Sequence, residues 1–151
     1  MRHDLIIKDY ARQLGMGFMY EQWQMANVKA DKSVLYPLLV FVTPASGRFN
    51  IDMGLSLTDS PNCLFAFLAP VQRHDYDGGE GAPTFEWMKA KALEFINIVN
   101  TAGDYEPVGG EVGYQLVFHK LDKDLMGVSL ELRLTPAKPE CLADYTFDNG
   151  E

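Results

Sequence analysis

Between Val112 and Pro136 two alternating apolar runs flank the polar turn Asp122-Lys123-Asp124. In the second run Met126, Val128, Leu130, Leu132 and Leu134 take every other position, with Gly127, Ser129, Glu131, Arg133 and Thr135 between them. Side chains of a strand point alternately to opposite faces, so this period of two predicts a strand with one dry and one wet face, not a helix. Tyr114, Leu116 and Phe118, set against Gln115 and His119, predict its antiparallel partner. The hairpin therefore predicts a sheet that is dry on one side only, and another part of the chain has to cover that side.

A candidate cover lies upstream. Thr84 is placed to cap a helix, and Glu86 in its first turn suits the helix dipole. Met88, Ala92, Phe95, Ile96 and Val99 then form one apolar stripe, with Lys89, Lys91, Glu94 and Asn97 largely off it. A long amphipathic helix over about residues 84–101 is the expectation. A first helix is expected from Asp4 to Leu14, where Leu5, Ile6, Tyr10, Ala11 and Leu14 recur at helical spacing before Gly15 and Gly17.

The segment Phe18 to Val28 fits both periods and leans to strand, so the topology of residues 16–30 stays open. Val34 to Thr43 holds the continuous apolar run Leu35-Tyr36-Pro37-Leu38-Leu39-Val40-Phe41-Val42, whose β-branched and aromatic content predicts a buried strand. Arg48 to Leu57 predicts another strand, Asp59-Ser60-Pro61-Asn62 a turn, and Cys63 to Pro70 a second short dry strand. The polar, glycine-rich stretch Gln72 to Pro83 reads as a flexible loop. After Pro136 the sequence predicts an extended arm with little packed structure, carrying Pro139, four scattered acids, Tyr145 and Phe147. The fold class expected is α+β: a mostly antiparallel sheet covered on one face by the long helix and the N-terminal helix. One domain over residues 1–142 is expected, followed by an acidic tail over residues 143–151.

At 151 residues and 47% hydrophobic content, the chain is large enough to bury one core without metal or disulfide support. Its formal charge of -8, from 21 acidic and 13 basic residues, argues against a phosphate-neutralising surface and so against direct nucleic-acid binding. Cys63 and Cys141 lie in no C-x-x-C or Cys/His spacing and read as reduced thiols. Met1-Arg2-His3-Asp4 leads into an apolar patch broken by Lys8 and Asp9, so no signal-peptide core is expected. No apolar run approaches the about 20 residues a membrane-spanning helix needs, and no membrane partner is expected.

Residues that carry chemistry are sparse. His74, Asp75, Asp77 and Glu80 crowd potential ligands into one loop, and hard cations want several oxygens at once. The loop lacks the further ligand pair and distant Glu of a calcium-binding hand, so a solvated loop is the expectation, and whether Asp75 to Glu80 holds an ion stays open. His119 has neither a carboxylate nor a serine beside it, and Ser46 lacks the G-x-S-x-G turn of an exposed nucleophile. Gly78-Gly79-Glu80-Gly81 and Gly109-Gly110 open no phosphate loop. No catalytic, cofactor-binding or metal-ligating residue is nominated, and no cofactor is expected. Trp23 and Trp87 fit an association surface or core packing equally well, since aromatic side chains concentrate in both, and Tyr145 and Phe147 on the tail fit either docking onto a subunit or plain disorder.

Tyr36-Pro37-Leu38-Leu39-Val40-Phe41 with Pro44, Leu64-Phe65-Ala66-Phe67-Leu68, the helix Phe85 to Val99, and Met126-Gly127-Val128-Ser129-Leu130-Glu131-Leu132 with Pro136 and Cys141 follow one another in a distinctive order. That order resembles the small tail-terminator and head-to-tail completion proteins of tailed bacteriophages and prophages. The resemblance spans most of residues 1–142 and rests on pattern rather than on a catalytic signature. It implies an α/β sandwich that assembles as a ring, commonly a hexamer, capping the tail tube or joining tail to head, with other tail or neck proteins as partners. It also implies a virion component assembled in the bacterial cytoplasm, with no catalysis. Intersubunit contacts are then expected in the loop Gln72 to Pro83 and in the tail after Pro136. The rival expectation is a cytoplasmic bacterial α+β adaptor that binds a protein or small ligand in a groove between helix and sheet. An enzyme whose residues converge only in three dimensions is the third class.

Overall fold

The computed structural model describes residues 1–22, 35–71, 83–118 and 124–144, and among them the strand β4 (Ser56–Pro70) organises the rest. The remaining elements are α1 (His3–Gln13), β1 (Gly17–Glu21), β2 (Leu38–Val42), β3 (Gly47–Asp52), α2 (Pro83–Ala102), β5 (Tyr114–Phe118), β6 (Leu125–Arg133) and β7 (Glu140–Cys141). A 3-10 turn over Leu142–Asp144 closes the described chain. The architecture is α+β, with two α-helices and a mixed seven-stranded sheet among the described residues.

Five strands run in the order β1-β2-β4-β6-β5, and every pairing is antiparallel except that of β1 with β2. The first half of β4 runs on past this body. There it pairs with β3 on one side and β7 on the other, so Ser56 and Leu57 have partners on both flanks. Register lines the side chains into rows, one of which is Phe18, Leu39, Phe67, Val128 and Leu116.

Alternation decides what is buried. Leu39, Phe41, Cys63, Phe65, Phe67, Val128, Leu130 and Leu132 form one cluster with Ile7, Tyr10 and Ala11 of α1 and Met88, Ala92, Phe95 and Val99 of α2. Phe95 is the hub: its ring stands 4.8 Å from that of Phe65, 5.5 Å from Phe67 and 6.3 Å from Tyr10. Offset and edge-on aromatic pairs of this kind add about 0.5–1.5 kcal/mol each beyond area burial. Met126 and Phe85 extend the packing at the start of α2.

Several expectations need correction. The sheet is not dry on one side only: Leu38, Val40, Ala66 and Leu68 on its other face are fully buried too. Gly127 and Ser129, expected on a wet face, are buried, because β6 lies between β4 and β5 in the middle of the sheet. Tyr114, Leu116 and Phe118, expected on the dry face of their strand, are exposed, since β5 is the outer strand.

The turn expected at Asp59-Ser60-Pro61-Asn62 is strand. Pro61 falls where β4 changes neighbours, pairing with Gly47 while its carbonyl accepts from Leu134 N at 3.2 Å, and a missing N–H is tolerated at such a switch. The chain reverses instead at Met53 and Gly54, both at positive φ, with Leu55 N donating to Asp52 O at 2.9 Å. Two successive positive φ values are what a type I′ hairpin turn requires. A strand does follow Gly15-Met16, but only as far as Glu21; Trp23 to Val28 lie outside the described residues. β2 begins at Leu38, after a cis Tyr36–Pro37 bond, and not at Val34.

The long helix begins with Pro83 and not after Thr84. Its first position suits a residue without an N–H, and Thr84 is buried in the first turn. The arm after Pro136 is not loose where described: Glu140 and Cys141 pair with β4, Leu142 N donates to Leu55 O at 2.8 Å, and Glu140 meets the N-terminal amine at 2.9 Å.

Candidate functional site

The hairpin of β3 and the first half of β4 leaves much of its apolar surface in water. All six residues of β3 are exposed. Phe49 keeps 73% of its surface in water, Ile51 51%, Met53 88% and Leu55 67%. Phe49 and Ile51 stand opposite Asp59 and Leu57, on the face of the sheet that carries α1. Together with Met1, Pro136 and Leu142 they line a shallow apolar hollow of about 200 Å³, rimmed by Lys138 and Glu140.

A second apolar strip lies on β5, where Tyr114 is 55% exposed and Leu116 and Phe118 stand beside it. These three oppose Leu130, Val128 and Met126, so they lie on the helix-bearing face. Lys89 of α2 sits 5.6 Å from the Tyr114 ring centre and 3.1 Å from Glu86. Exposed alternating apolar side chains on outer strands are unusual in a chain that acts alone, because unpaired strand edges are templates for association.

A polar cluster ties α1 to the segment after α2. His3 Nδ1 lies 2.8 Å from the Tyr105 hydroxyl, with the two rings stacked at 5.6 Å, and Tyr10 donates to Asp104 Oδ2 at 2.6 Å. Burial lowers the His3 pKa, which favours neutral imidazole, and Asp59 opposes the shift. Burial chiefly, with Asp104 nearby, raises both tyrosines well above the usual phenol range. The hydroxyls therefore stay protonated and the cluster acts as a hydrogen-bonded clasp. Among the described residues buried His3 Nε2 meets no hydrogen-bond partner.

The residues singled out from sequence are scattered. Ser46 is exposed, and its hydroxyl and carbonyl accept from the side-chain amide and backbone N–H of Asn62, both at 3.0 Å. That is a structural clamp across the strand switch. Cys63 is buried and its thiol is pushed up to about 12 by burial, whereas Cys141 is exposed; the two are free thiols. Trp87 is 45% exposed on α2. The loop His74 to Glu80, with its candidate ion ligands, lies outside the described residues, as do Trp23, His119, Lys120, Tyr145 and Phe147. Most of the loop Gln72 to Pro83, proposed as an intersubunit contact, falls there too. Among the described residues no three His, Cys, Asp or Glu side chains are grouped as metal ligands. Among them no helix is long and apolar enough to cross a membrane.

Sequence reading missed the hairpin arm and the clasp. Phe49 and Ile51 alternate as any core strand would, and nothing local says that they stay exposed. His3, Tyr10 and Tyr105 carry no spacing signal, since 102 positions separate the first from the last. In comparisons with known proteins, no family model, no curated protein and no solved structure matches the chain.

Proposed function

We propose that this protein is a non-enzymatic structural subunit of the tail end or head-to-tail neck of a tailed bacteriophage or prophage, assembling as a ring. The observation that carries the assembly reading is the hairpin arm, which holds Phe49, Ile51, Met53 and Leu55 in water beyond the body of the sheet. Leaving such side chains exposed forgoes stabilisation that a second surface would supply, at about 25 cal/mol per Å² covered. The phage assignment rests on the order of segments: the strand that follows Tyr36-Pro37, the strand carrying Leu64 to Leu68, one long helix and the terminal strand pair. That reading is supported by the packing of Met88, Phe95 and Val99 of α2 in one buried cluster with Phe65, Phe67 and Val128 of the sheet.

A ring closes when each subunit offers one patch to a different patch on its neighbour. The charge of -8 suits a channel through which DNA passes without adsorbing. The interface between helices and sheet is filled by its own aromatic and aliphatic side chains, which favours assembly over a ligand groove there.

Size-exclusion chromatography with light scattering, followed by electron microscopy of the peak, tests the reading. Ring particles, alone or with a tail-tube or neck protein from a neighbouring gene, are expected. A chain that remains monomeric at every concentration and with each such protein overturns it.

A further inference from the structure

Among the described residues the outer edges of β3 and β5 are open, on opposite sides of one sheet. Ser56 and Leu57 pair with both β3 and β7, so these flank β4; Pro61 likewise meets Gly47 on one side and Leu134 on the other. β3 therefore lies on the β2 side and β5 on the β6 side. Among the described residues β3 pairs with β4 alone and β5 with β6 alone. We propose that the outer edge of β3 in one copy adds to the outer edge of β5 in the next copy, continuing the sheet from subunit to subunit. This contact rests on the assembly reading above and names its partner surface.

Three features of the chain select a second copy as the occupant. The first is direction. β3 and β6 both run antiparallel to β4, and β5 runs antiparallel to β6, so β3 and β5 point in opposite senses. A neighbour placed beside the sheet without inverting it presents β3 to β5 as an antiparallel pair, the more stable geometry. The second is facing. Phe49 and Ile51 on one edge and Tyr114, Leu116 and Phe118 on the other all lie on the helix-bearing face, so strand addition sets aromatic and aliphatic side chains next to each other.

The third is charge. On the opposite face β3 carries Arg48, exposed, and Glu131 of β6 is exposed beside Gly113 and Gln115 in a hollow along β5. Among the described residues neither Arg48 nor Glu131 joins an ion pair. Gly113 puts no side chain over Glu131, and a Cβ built there would meet nothing within 4 Å. An arginine on an added strand has open access to that carboxylate. Because the two edges differ, the contact is head-to-tail and suits a closing ring. The edge of β1 is the lesser candidate, since Met19 is buried and Phe18 is packed against the core.

The test is directed cross-linking in a Cys141→Ala background, where Cys63 is buried and slow to react. Chains with Phe49→Cys and chains with Tyr114→Cys, residues that stand opposite one another in the register that sets Arg48 beside Gln115 and Glu131, are purified separately, checked for unchanged melting, mixed and mildly oxidised. A covalent pair is expected in the mixture and in neither variant alone, and a chain with both substitutions should give a ladder up to the ring number. Arg48→Glu and Glu131→Arg should each weaken assembly at least several-fold, and together restore it. Cross-links within one variant, which mark like edges meeting across a two-fold, overturn the contact. So do assemblies seen by light scattering that give no mixed cross-link; both leave the ring standing. A double-cysteine chain that stays monomeric and unlinked over the whole concentration series, alone and with each neighbouring tail-tube or neck protein, overturns the assembly reading along with the contact.

Discussion

His3 Nδ1 lies 2.8 Å from the Tyr105 hydroxyl, joining the first turn of α1 to a residue that follows the last turn of α2. Burial lowers the imidazole pKa from its ordinary value of about 6.5 and so favours the neutral form. A base whose pKa is lower in the folded chain takes up its proton first in the unfolded chain, so stability falls as pH drops below about 6.5 and levels off once the folded form is also protonated. Thermal melting at pH 8 and pH 5 should show a lower midpoint at pH 5. His3→Gln should flatten that difference, and an unchanged slope would assign it to other groups.

Gly127 lies against the backbone of β4: a Cβ built there would stand 1.8 Å from the Phe67 carbonyl oxygen and 2.9 Å from its carbon. Backbone cannot yield as a flexible side chain can. Gly127→Ala is expected to cost about 3 kcal/mol, the upper end of ordinary overpacking, measured by urea unfolding. A loss under about 1 kcal/mol would mean that β4 and β6 are not so closely apposed.

Phe95 and Phe49 make a controlled contrast. Phe95 is fully buried among three rings, so Phe95→Ala should cost about 3–5 kcal/mol. Phe49 is mostly in water, so Phe49→Ala should change monomer stability by no more than about 0.5 kcal/mol. If Phe49→Ala destabilised the isolated chain as strongly, the arm would be part of its own core.

Thiol titration separates the two cysteines. Cys141 is exposed and should react with a disulfide reagent at pH 8 at the rate of a free thiol. Cys63 is buried, with its thiol pushed up to about 12, so it should react only when the chain opens. Two equally fast thiols in the native protein would contradict the packing around Cys63.

Much of the fold was legible along the chain. The i, i+4, i+7 stripe from Met88 to Val99 foretold a helix and its buried side, and Met126 to Leu134 foretold a strand, because local periodicity alone sets which side chains share a face. The candidate site was not legible in this way. Phe49 and Ile51 read like core residues, and the Asp59 to Asn62 cluster reads like a turn, yet the first are exposed and the second is strand. A sequence specifies alternation, but not how many layers or neighbouring strands will lie against each face.

The sequence by itself determined the helices α1 and α2, the strand β6, the buried stripe of α2 and the acidic balance, since these follow from residue spacing and counts. Only the tertiary structure decided that β6 is interior and β5 an edge, that β4 outruns its neighbours, and that His3 meets Tyr105. Burial and pairing depend on contacts between residues far apart in the chain, and no local pattern encodes which distant partner arrives.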